Sequence, residues 1–303
     1  MKPVLILFIA LGVLVIAFVA LWIAAARRSA RRDSEGRRKW PDAVQILIGF
    51  VVNFFDTLGI GNFATTTSVF KLRKMVPDEL MPGTLNVGHT LPVVTEALIY
   101  ISIIEVDTMT LITMIAASVI GAWFGAPIVA SWPRRAIQIG LGSVLVAAAA
   151  LMLASQLQLL PIGGESLKLG GVGLGVGIFG SFWLGALMTL GLGYYAPCMI
   201  LVSMLGLNPK AAFPIMMGAC AFLMPVASMQ FVRREKYSLR PALGLTLGGI
   251  PGVLLAAFVV TSLPLDYVRW LVVCVVIYAA SAMLHSAFVE RARGATAGSR
   301  PGA

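Results

Sequence analysis

The chain has 303 residues, of which 59% are hydrophobic and only 12% are charged, and its mean hydropathy is +0.92. This composition excludes an ordinary soluble domain and indicates an integral membrane protein. The formal net charge of +10 does not indicate nucleic-acid binding, because Lys and Arg are confined to short connections between apolar runs, where they set membrane topology.

The first apolar run, Val4 to Ala26, is predicted to be a transmembrane helix, since about 20 apolar residues suffice to cross the hydrocarbon core. It is too long for the core of a secretory signal, and the charged cluster RRSARRDSEGRR follows it instead of preceding it. We therefore expect residues 1–26 to form a retained helix with its N-terminus outside the cell. Residues 27–41 are the expected basic cytoplasmic loop.

The next apolar region contains FFDTLGIGNFATTTS, a stretch with an acid, two glycines and several hydroxyls. If residues 42–70 form a re-entrant hairpin with its tip at 59–61, nearly every basic connection lies in the cytoplasm and the acidic connections lie outside. If they form one continuous span, the basic residues 71–74 lie outside and the acidic residues 105–107 lie inside. Because basic loops favour the cytoplasmic side, the hairpin is predicted.

This hairpin sequence recurs. TLGIG begins at Thr57 and TLGLG begins at Thr189, an offset of 189 − 57 = 132 residues. Two pairs of prolines share that offset: Pro77 with Pro209, and Pro82 with Pro214. Chance would give both pairs about once in 400. The sequence therefore predicts two copies of one unit, and the predicted segments are the first repeat at 42–155, a linker at 156–169, the second repeat at 170–290 and a cytoplasmic tail at 291–303.

Each predicted unit contains a re-entrant hairpin followed by three transmembrane helices. Because three crossings is an odd number, the second unit is expected to be inverted relative to the first. The predicted fold class is an all-α polytopic membrane protein with two inverted repeats behind an extra N-terminal helix. Inverted repeats with broken helices near the midplane are a recurrent plan of secondary transporters.

Several motifs belong to these units. A Gly-rich turn follows an apolar half-helix twice, and GLNPKAAFPIMMGAC precedes a basic loop and ALGLTLGGIPGVLLAAFV. This pattern resembles the TauE/SafE sulfite-exporter family of anion permeases, over roughly residues 45–290 and most clearly from Gly191 to Gly252. The resemblance implies secondary transport of small anions such as sulfite, thiosulfate, sulfoacetate and other organosulfonates. Where the family has a longer glycine run, this chain has GIGNFATT and GLGYYAPC.

The two hairpin tips are the predicted anion site. A half-helix that begins within the membrane exposes backbone N–H groups and the positive end of its dipole, which an anion satisfies. Glycine allows the tight reversal and close approach to those amides. The predicted substrate-binding residues are Gly59, Gly61, Asn62, Thr65, Thr66, Gly191, Gly193, Tyr194 and Tyr195. For each hydroxyl the alternative is a hydrogen bond to the carbonyl four residues earlier in its own helix.

Three ionisable residues are candidates for proton coupling, because such groups are costly within a membrane. Asp56 directly precedes the first tip and is interpreted either as a proton site or as a cap of the following half-helix. Met188 takes its place in the second copy. His89 and Glu96 lie on one helical stripe, and imidazole titrates near neutral pH. They are interpreted either as a proton relay or as a structural pair.

The sequence thus predicts a secondary transporter of small anions, with sulfite or an organosulfonate as the expected substrate and a proton as the candidate coupling ion. An anion channel or a non-transporting scaffold is the alternative. The chain lacks the Ser–His, paired-aspartate and HExxH patterns of intramembrane enzymes, so we expect neither catalysis nor a metal or other cofactor. The expected partners are the anion and the lipid bilayer, and the expected location is a bacterial inner membrane with the C-terminus in the cytoplasm.

Overall fold

The structure is a computed structural model, and it describes residues 2–32, 40–125, 128, 134–157, 164–188 and 194–298. Regular structure within these residues is helical, and one isolated β-bridge joins Ser166 to Leu207. Seven of the described helices are long and apolar enough to cross a membrane. The prediction of an all-α polytopic membrane protein is therefore confirmed.

The helices follow one order twice. The N-terminal helix α1 spans Lys2–Arg32. The first unit contains α2 (Ala43–Thr57), α3 (Asn62–Leu72), α4 (Met81–Ile103), α5 (Thr108–Ile120) and α6 (Arg134–Gln156). The second contains α7 (Gly171–Met188), α8 (Tyr195–Met204), α9 (Ala212–Arg233), α10 (Leu239–Ser262) and α11 (Leu265–Gly298). Short 3₁₀ turns precede α4 and α9, and the π-helical turn Gly121–Gly125 follows α5.

The second helix of each hairpin ends in the same hydrogen-bonded turn, which supports the duplication. After α3, the Lys74 N–H donates to the Lys71 carbonyl and the Met75 N–H donates to the Phe70 carbonyl. After α8, the Gly206 N–H donates to the Ser203 carbonyl and the Leu207 N–H donates to the Val202 carbonyl. Every residue of the second set lies 132 positions after its equivalent, for example 206 − 74 = 132. Lys74 and Gly206 both have positive φ, 51° and 78°, as this helix-ending motif requires.

The connections between helices meet in two groups. In one group Ser238 N–H donates to Thr84 Oγ1, and Arg240 donates to the Trp40 carbonyl. In the other group Asp107 N–H donates to the Leu167 carbonyl. Helix α4 begins close to Thr84 in the first group and ends shortly before Asp107 in the second group. The two groups therefore lie at opposite ends of the bundle. The chain therefore enters α2 and leaves α3 at the same end, as the hairpin prediction requires.

Glycines bring each unit's first hairpin helix against a helix of the other unit. Gly248 on α10 lies against the Ile46 carbonyl of α2, and Gly185 on α7 lies against the Ser118 backbone of α5. A side chain at either position would run into backbone atoms. Small residues at such contacts let membrane helices approach closely, which maximises their packing. The α2–α10 contact fixes the position of the first hairpin.

Helix α4 lies within the bundle, packed against α9 and α10. It has 23 residues but is not among the seven apolar spans. The reason is the buried polar face, whose members are Thr84, His89, Thr90 and Glu96. The side of the membrane that each end faces, the inversion of the units and the segment boundaries stay predictions. Parts of the predicted basic loop, linker and tail lie outside the described residues, at 33–39, 158–163 and 299–303.

Candidate functional site

The first hairpin turns through two glycines. At the end of α2, Gly59 N–H donates to the Asp56 carbonyl and Ile60 N–H donates to the Phe55 carbonyl. Gly59 and Gly61 have φ values of 97° and 90°, conformations that only glycine adopts without strain. A Cβ atom at Gly59 would also meet the end of the Met199 side chain. Both predicted tip glycines therefore form the reversal.

The carboxylate of Asp56 occupies the N-terminus of α3. Its Oδ2 accepts a hydrogen bond of 2.5 Å from Asn62 Nδ2, and the carboxylate also interacts with the Asn62 backbone N–H. Asn62 is the first residue of α3. Asp56 thus binds the Asn62 side chain near the start of α3, whereas the N-cap position, Gly61, has no side-chain hydrogen bond. Its Oδ1 is buried and accepts no hydrogen bond within the described chain.

Glu96 reaches the end of α2 from the buried face of α4. Its Oε1 lies 2.7 Å from Thr57 Oγ1, and Thr57 Oγ1 lies 2.7 Å from the Asn53 carbonyl. Glu96 Oε2 is buried and has no hydrogen-bond partner among the described residues. Asp56 and Glu96 are close enough to interact electrostatically. Two buried acids, each with one unpartnered oxygen, therefore lie at the first tip.

His89 bridges α2 and α3. Its Nδ1 lies 2.9 Å from Asn53 Oδ1, and its Nε2 lies 3.0 Å from Thr66 Oγ1. Because Asn53 Nδ2 donates to the Gly49 carbonyl, the Asn53 oxygen faces the imidazole, so His89 Nδ1 carries a hydrogen. The Nε2 of a neutral ring then accepts from Thr66. His89 reaches Glu96 only through Asn53 and Thr57.

The hydrogen-bonded polar side chains of α2, α3 and α4 described above form one network, and the tyrosines of α8 come close to it. Tyr195 is close enough to Glu96 and Cys220 to interact with both electrostatically. Tyr194 instead pairs with Ser118, at 2.5 Å between their hydroxyl oxygens. Both tyrosines are at least nine-tenths buried. Tyr195 therefore links the second hairpin to the acid at the first tip, whereas Tyr194 faces α5.

The other predicted binding residues fall into three groups: one belongs to the network, one bonds to its own helix backbone, and two lie outside the described residues. Thr66 is in the network, but Thr65 Oγ1 lies 3.2 Å from the Gly61 carbonyl, four residues earlier. This is the bonding that the alternative for membrane hydroxyls describes. Gly191 and Gly193 lie outside the described residues.

Sequence reasoning missed Asn53 and Thr57, which connect His89 to Glu96. The signal was present, because Gly49, Asn53 and Thr57 follow one another at four-residue spacing and share one face of α2. No Lys or Arg forms an ion pair with Asp56 or Glu96 within the described chain. That part of the chain also holds no cluster of three or more His, Cys, Asp or Glu residues suited to a metal.

A family model described as Sulfite exporter TauE/SafE matches residues 2–152 of the chain. The protein belongs to this family. The match runs from α1 into α6 and so includes the network on α2, α3 and α4. No curated protein and no solved structure gives a significant match. Family membership and seven apolar helices make the chain an integral membrane protein of a family that transports sulfite-type anions, in keeping with the expectation that it is not an enzyme.

Proposed function

We propose that this TauE/SafE protein is a proton-coupled secondary transporter of a sulfite-like or organosulfonate anion in a bacterial inner membrane. The observation that carries the proposal is the pair of buried acids at the first hairpin tip, each with an unpartnered oxygen and neither paired with a described Lys or Arg. Ionisable groups buried in a membrane protein mark ion and proton pathways. Family membership supplies the class of substrate.

Glu96 is one of the proposed proton-responsive groups at this tip. Thr57 has one hydroxyl hydrogen but two oxygen neighbours, each 2.7 Å away. A protonated Glu96 donates to Thr57, which then donates to the Asn53 carbonyl, so both contacts are hydrogen bonds. When Glu96 is ionised, its carboxylate and the Asn53 carbonyl compete for the single hydrogen. The protonation of Glu96 therefore changes the hydrogen bonding of the last turn of α2, directly before the tip.

His89 extends this connection to α3. A proton added at Nε2 turns the imidazole into a donor toward Thr66, while Nδ1 continues to donate to Asn53. A change at Glu96 reaches the same Asn53 through Thr57. Asp56, His89 and Glu96 are therefore proposed as the proton-responsive groups, connected through neutral side chains.

The substrate is proposed to bind between the two tips. The first tip supplies the turn around Gly59 and Gly61 together with Asn62, Thr65 and Thr66. The second supplies Tyr194 and Tyr195, with Gly191 and Gly193 as further proposed contacts. Half-helix N-termini that face the bilayer midplane from opposite sides are a known arrangement for anionic substrates. The proposal therefore includes the inverted orientation of the two units, an outside N-terminus and a cytoplasmic C-terminus.

Counterflow into proteoliposomes tests this function. Vesicles with the full chain are loaded with unlabelled anion and exposed to labelled sulfite, thiosulfate, methanesulfonate or a small carboxylate, and protein-free vesicles are the control. We expect saturable exchange of at least one sulfur oxyanion and its uphill accumulation under an inward proton gradient. The absence of any exchange would refute transport. Flux that never accumulates against a gradient would instead indicate an anion channel.

A further inference from the structure

Asp56 stands where the proposed function places the substrate. The first residue of α3, Asn62, offers its backbone N–H and its side-chain amide. The Asp56 carboxylate accepts a hydrogen bond from the amide and interacts with the N–H. These donors, together with the positive end of the α3 dipole, are what an incoming anion would use. In this structure the first tip therefore already contains an acidic side chain of the protein itself, and whenever that side chain is ionised it takes the place of an anion.

A second anion cannot join an ionised Asp56 at this tip without strong repulsion. Two negative charges bound to the same helix start repel each other most strongly where water is excluded. Asp56 is fully buried. The titratable groups that face Asp56 are Glu96 and Tyr100 on α4, Tyr195 on α8 and Cys220 on α9. All of them are neutral or acidic, so none offsets an added negative charge. No described Lys or Arg forms an ion pair with Asp56.

We propose that Asp56 is a tethered competitor of the substrate and that an anion binds at the first tip only when Asp56 takes up a proton. This inference rests on the proposed function and specifies how its proton is coupled. The proton joins the unpartnered Oδ1, the neutral carboxyl releases Asn62, and the Asn62 N–H and Nδ2–H groups bind the incoming oxyanion. The charge at the tip is the same before and after, because one bound anion replaces one carboxylate.

The charge balance also selects a substrate class. A monoanion with several acceptor oxygens, such as a sulfonate or bisulfite, replaces the single charge and the two acceptor contacts of the carboxylate. A dianion brings one more negative charge, which a single proton on Asp56 does not offset. The site therefore prefers monoanionic sulfur oxyanions. Met188 occupies the equivalent position of the second unit, so only the first tip has such a competitor.

Calorimetry on the purified full chain measures the coupling directly. Methanesulfonate is the probe, since it remains a monoanion throughout the working pH range. Titration in buffers of different ionisation enthalpy gives the number of protons taken up per anion bound. We expect about one proton per anion and a Kd that rises about tenfold per pH unit once free Asp56 is ionised. If the wild-type chain binds methanesulfonate and takes up no net protons across this pH range, that result alone would overturn the inference.

The variant Asp56→Asn replaces the carboxylate with a neutral amide of the same shape, which corresponds to the protonated state of Asp56. We expect it to bind methanesulfonate without proton uptake, with a Kd independent of pH and lower than that of the wild type at high pH. Asp78→Asn is the matched control, because the Asp78 side chain is 71% exposed, and it should keep the wild-type proton count. Proton uptake that persists in Asp56→Asn would show that another group titrates, and would overturn the inference.

Two outcomes separate this inference from the proposed function. If the wild-type chain exchanges sulfite or methanesulfonate but binds either without net proton uptake, transport stands and the competitor mechanism fails. If it exchanges sulfite but never binds methanesulfonate, the assignment to monoanionic sulfonates fails. If no anion binds or exchanges at any pH, the proposed function fails and this inference fails with it.

Discussion

At the first hairpin tip Asp56 lies against the N-terminus of α3, whereas at the second Met188 takes its place and its sulfur lies 3.9 Å from Cys220 Sγ. Asn62 is likewise replaced 132 positions later by Tyr194, whose hydroxyl pairs with neutral Ser118. Both hairpins nonetheless end in the same hydrogen-bonded turn and pack through glycine. This fold therefore requires the helix break but not the acid, and we infer that the acid has a functional role.

The largest expected effect comes from making the first tip resemble the second. Asp56→Met removes both the charge and the hydrogen bond with Asn62, so we expect proton-driven accumulation of anion to fall by roughly 5- to 150-fold, the range of a typical coupling energy. We also expect the folded state to lose about 1 kcal/mol with that hydrogen bond. Uptake into proteoliposomes and unfolding in mixed micelles measure the two effects. The matched control Met188→Leu should change neither, and unchanged accumulation in Asp56→Met would contradict the account.

Glu96→Gln tests whether the second acid of the tip belongs to the proton pathway. Glutamine keeps the shape and a contact to Thr57 but cannot exchange a proton, so proton-driven accumulation should drop by about tenfold while counterflow continues. The neighbouring Thr95→Val is a suitable control, because within the described part of the chain Thr95 Oγ1 bonds only to the Leu91 carbonyl of its own helix. Accumulation at the wild-type level in Glu96→Gln would remove Glu96 from the proton path.

Packing should matter equally in the two halves, in contrast to the tip chemistry. Gly248→Val forces a side chain into the α2 backbone, and Gly185→Val does the same against α5. Each should destabilise the folded protein by about 1–3 kcal/mol, as measured by unfolding in mixed micelles. Gly140→Ala serves as a control, since a Cβ atom at Gly140 meets nothing within 4 Å. Stability unchanged in either valine variant would show that these glycine contacts do not hold the units together.

The smallest effect concerns the caps of two equivalent helices. The Thr110 N–H donates to Asp107 and holds the pKa of that carboxyl below its ordinary value, whereas Ser238 forms no such cap on α10. Asp107→Ala should cost about 1 kcal/mol, and Ser238→Ala should cost less. Because the folded-state pKa is lowered, the Asp107 contribution is complete above the ordinary pKa and disappears as pH falls through the folded one. A loss in Asp107→Ala that is the same at neutral pH and in acid would contradict this.

Much of the fold could be predicted from local signals. The repeated TLGxG motifs and the placement of basic loops located the hairpin, and Gly59 and Gly61 located its turn, because these signals act over short stretches of chain. The contacts of His89 and Glu96 could not be predicted. Their spacing on α4 suggested a direct relay. Instead His89 contacts residues of α2 and α3, and Glu96 contacts Thr57 of α2. These contacts depend on how three helices pack.

The sequence also could not distinguish between the two interpretations of Asp56. Its position before Gly59 fits both a cap and a proton site. In the structure its hydrogen bond goes to the Asn62 side chain, and the N-cap position, Gly61, has no side-chain hydrogen bond. This contact is compatible with the proton role, because a carboxyl that releases Asn62 on protonation frees the donors that an anion needs.

The most direct test of the central claim is proton movement driven by an anion gradient. Proteoliposomes with the full chain and an internal pH-sensitive dye receive methanesulfonate on the outside, with membrane potential clamped. The account predicts that anion entry acidifies the interior by about one proton per anion in the wild type and that Asp56→Asn moves the anion without acidification. Anion entry without acidification in the wild type would contradict it.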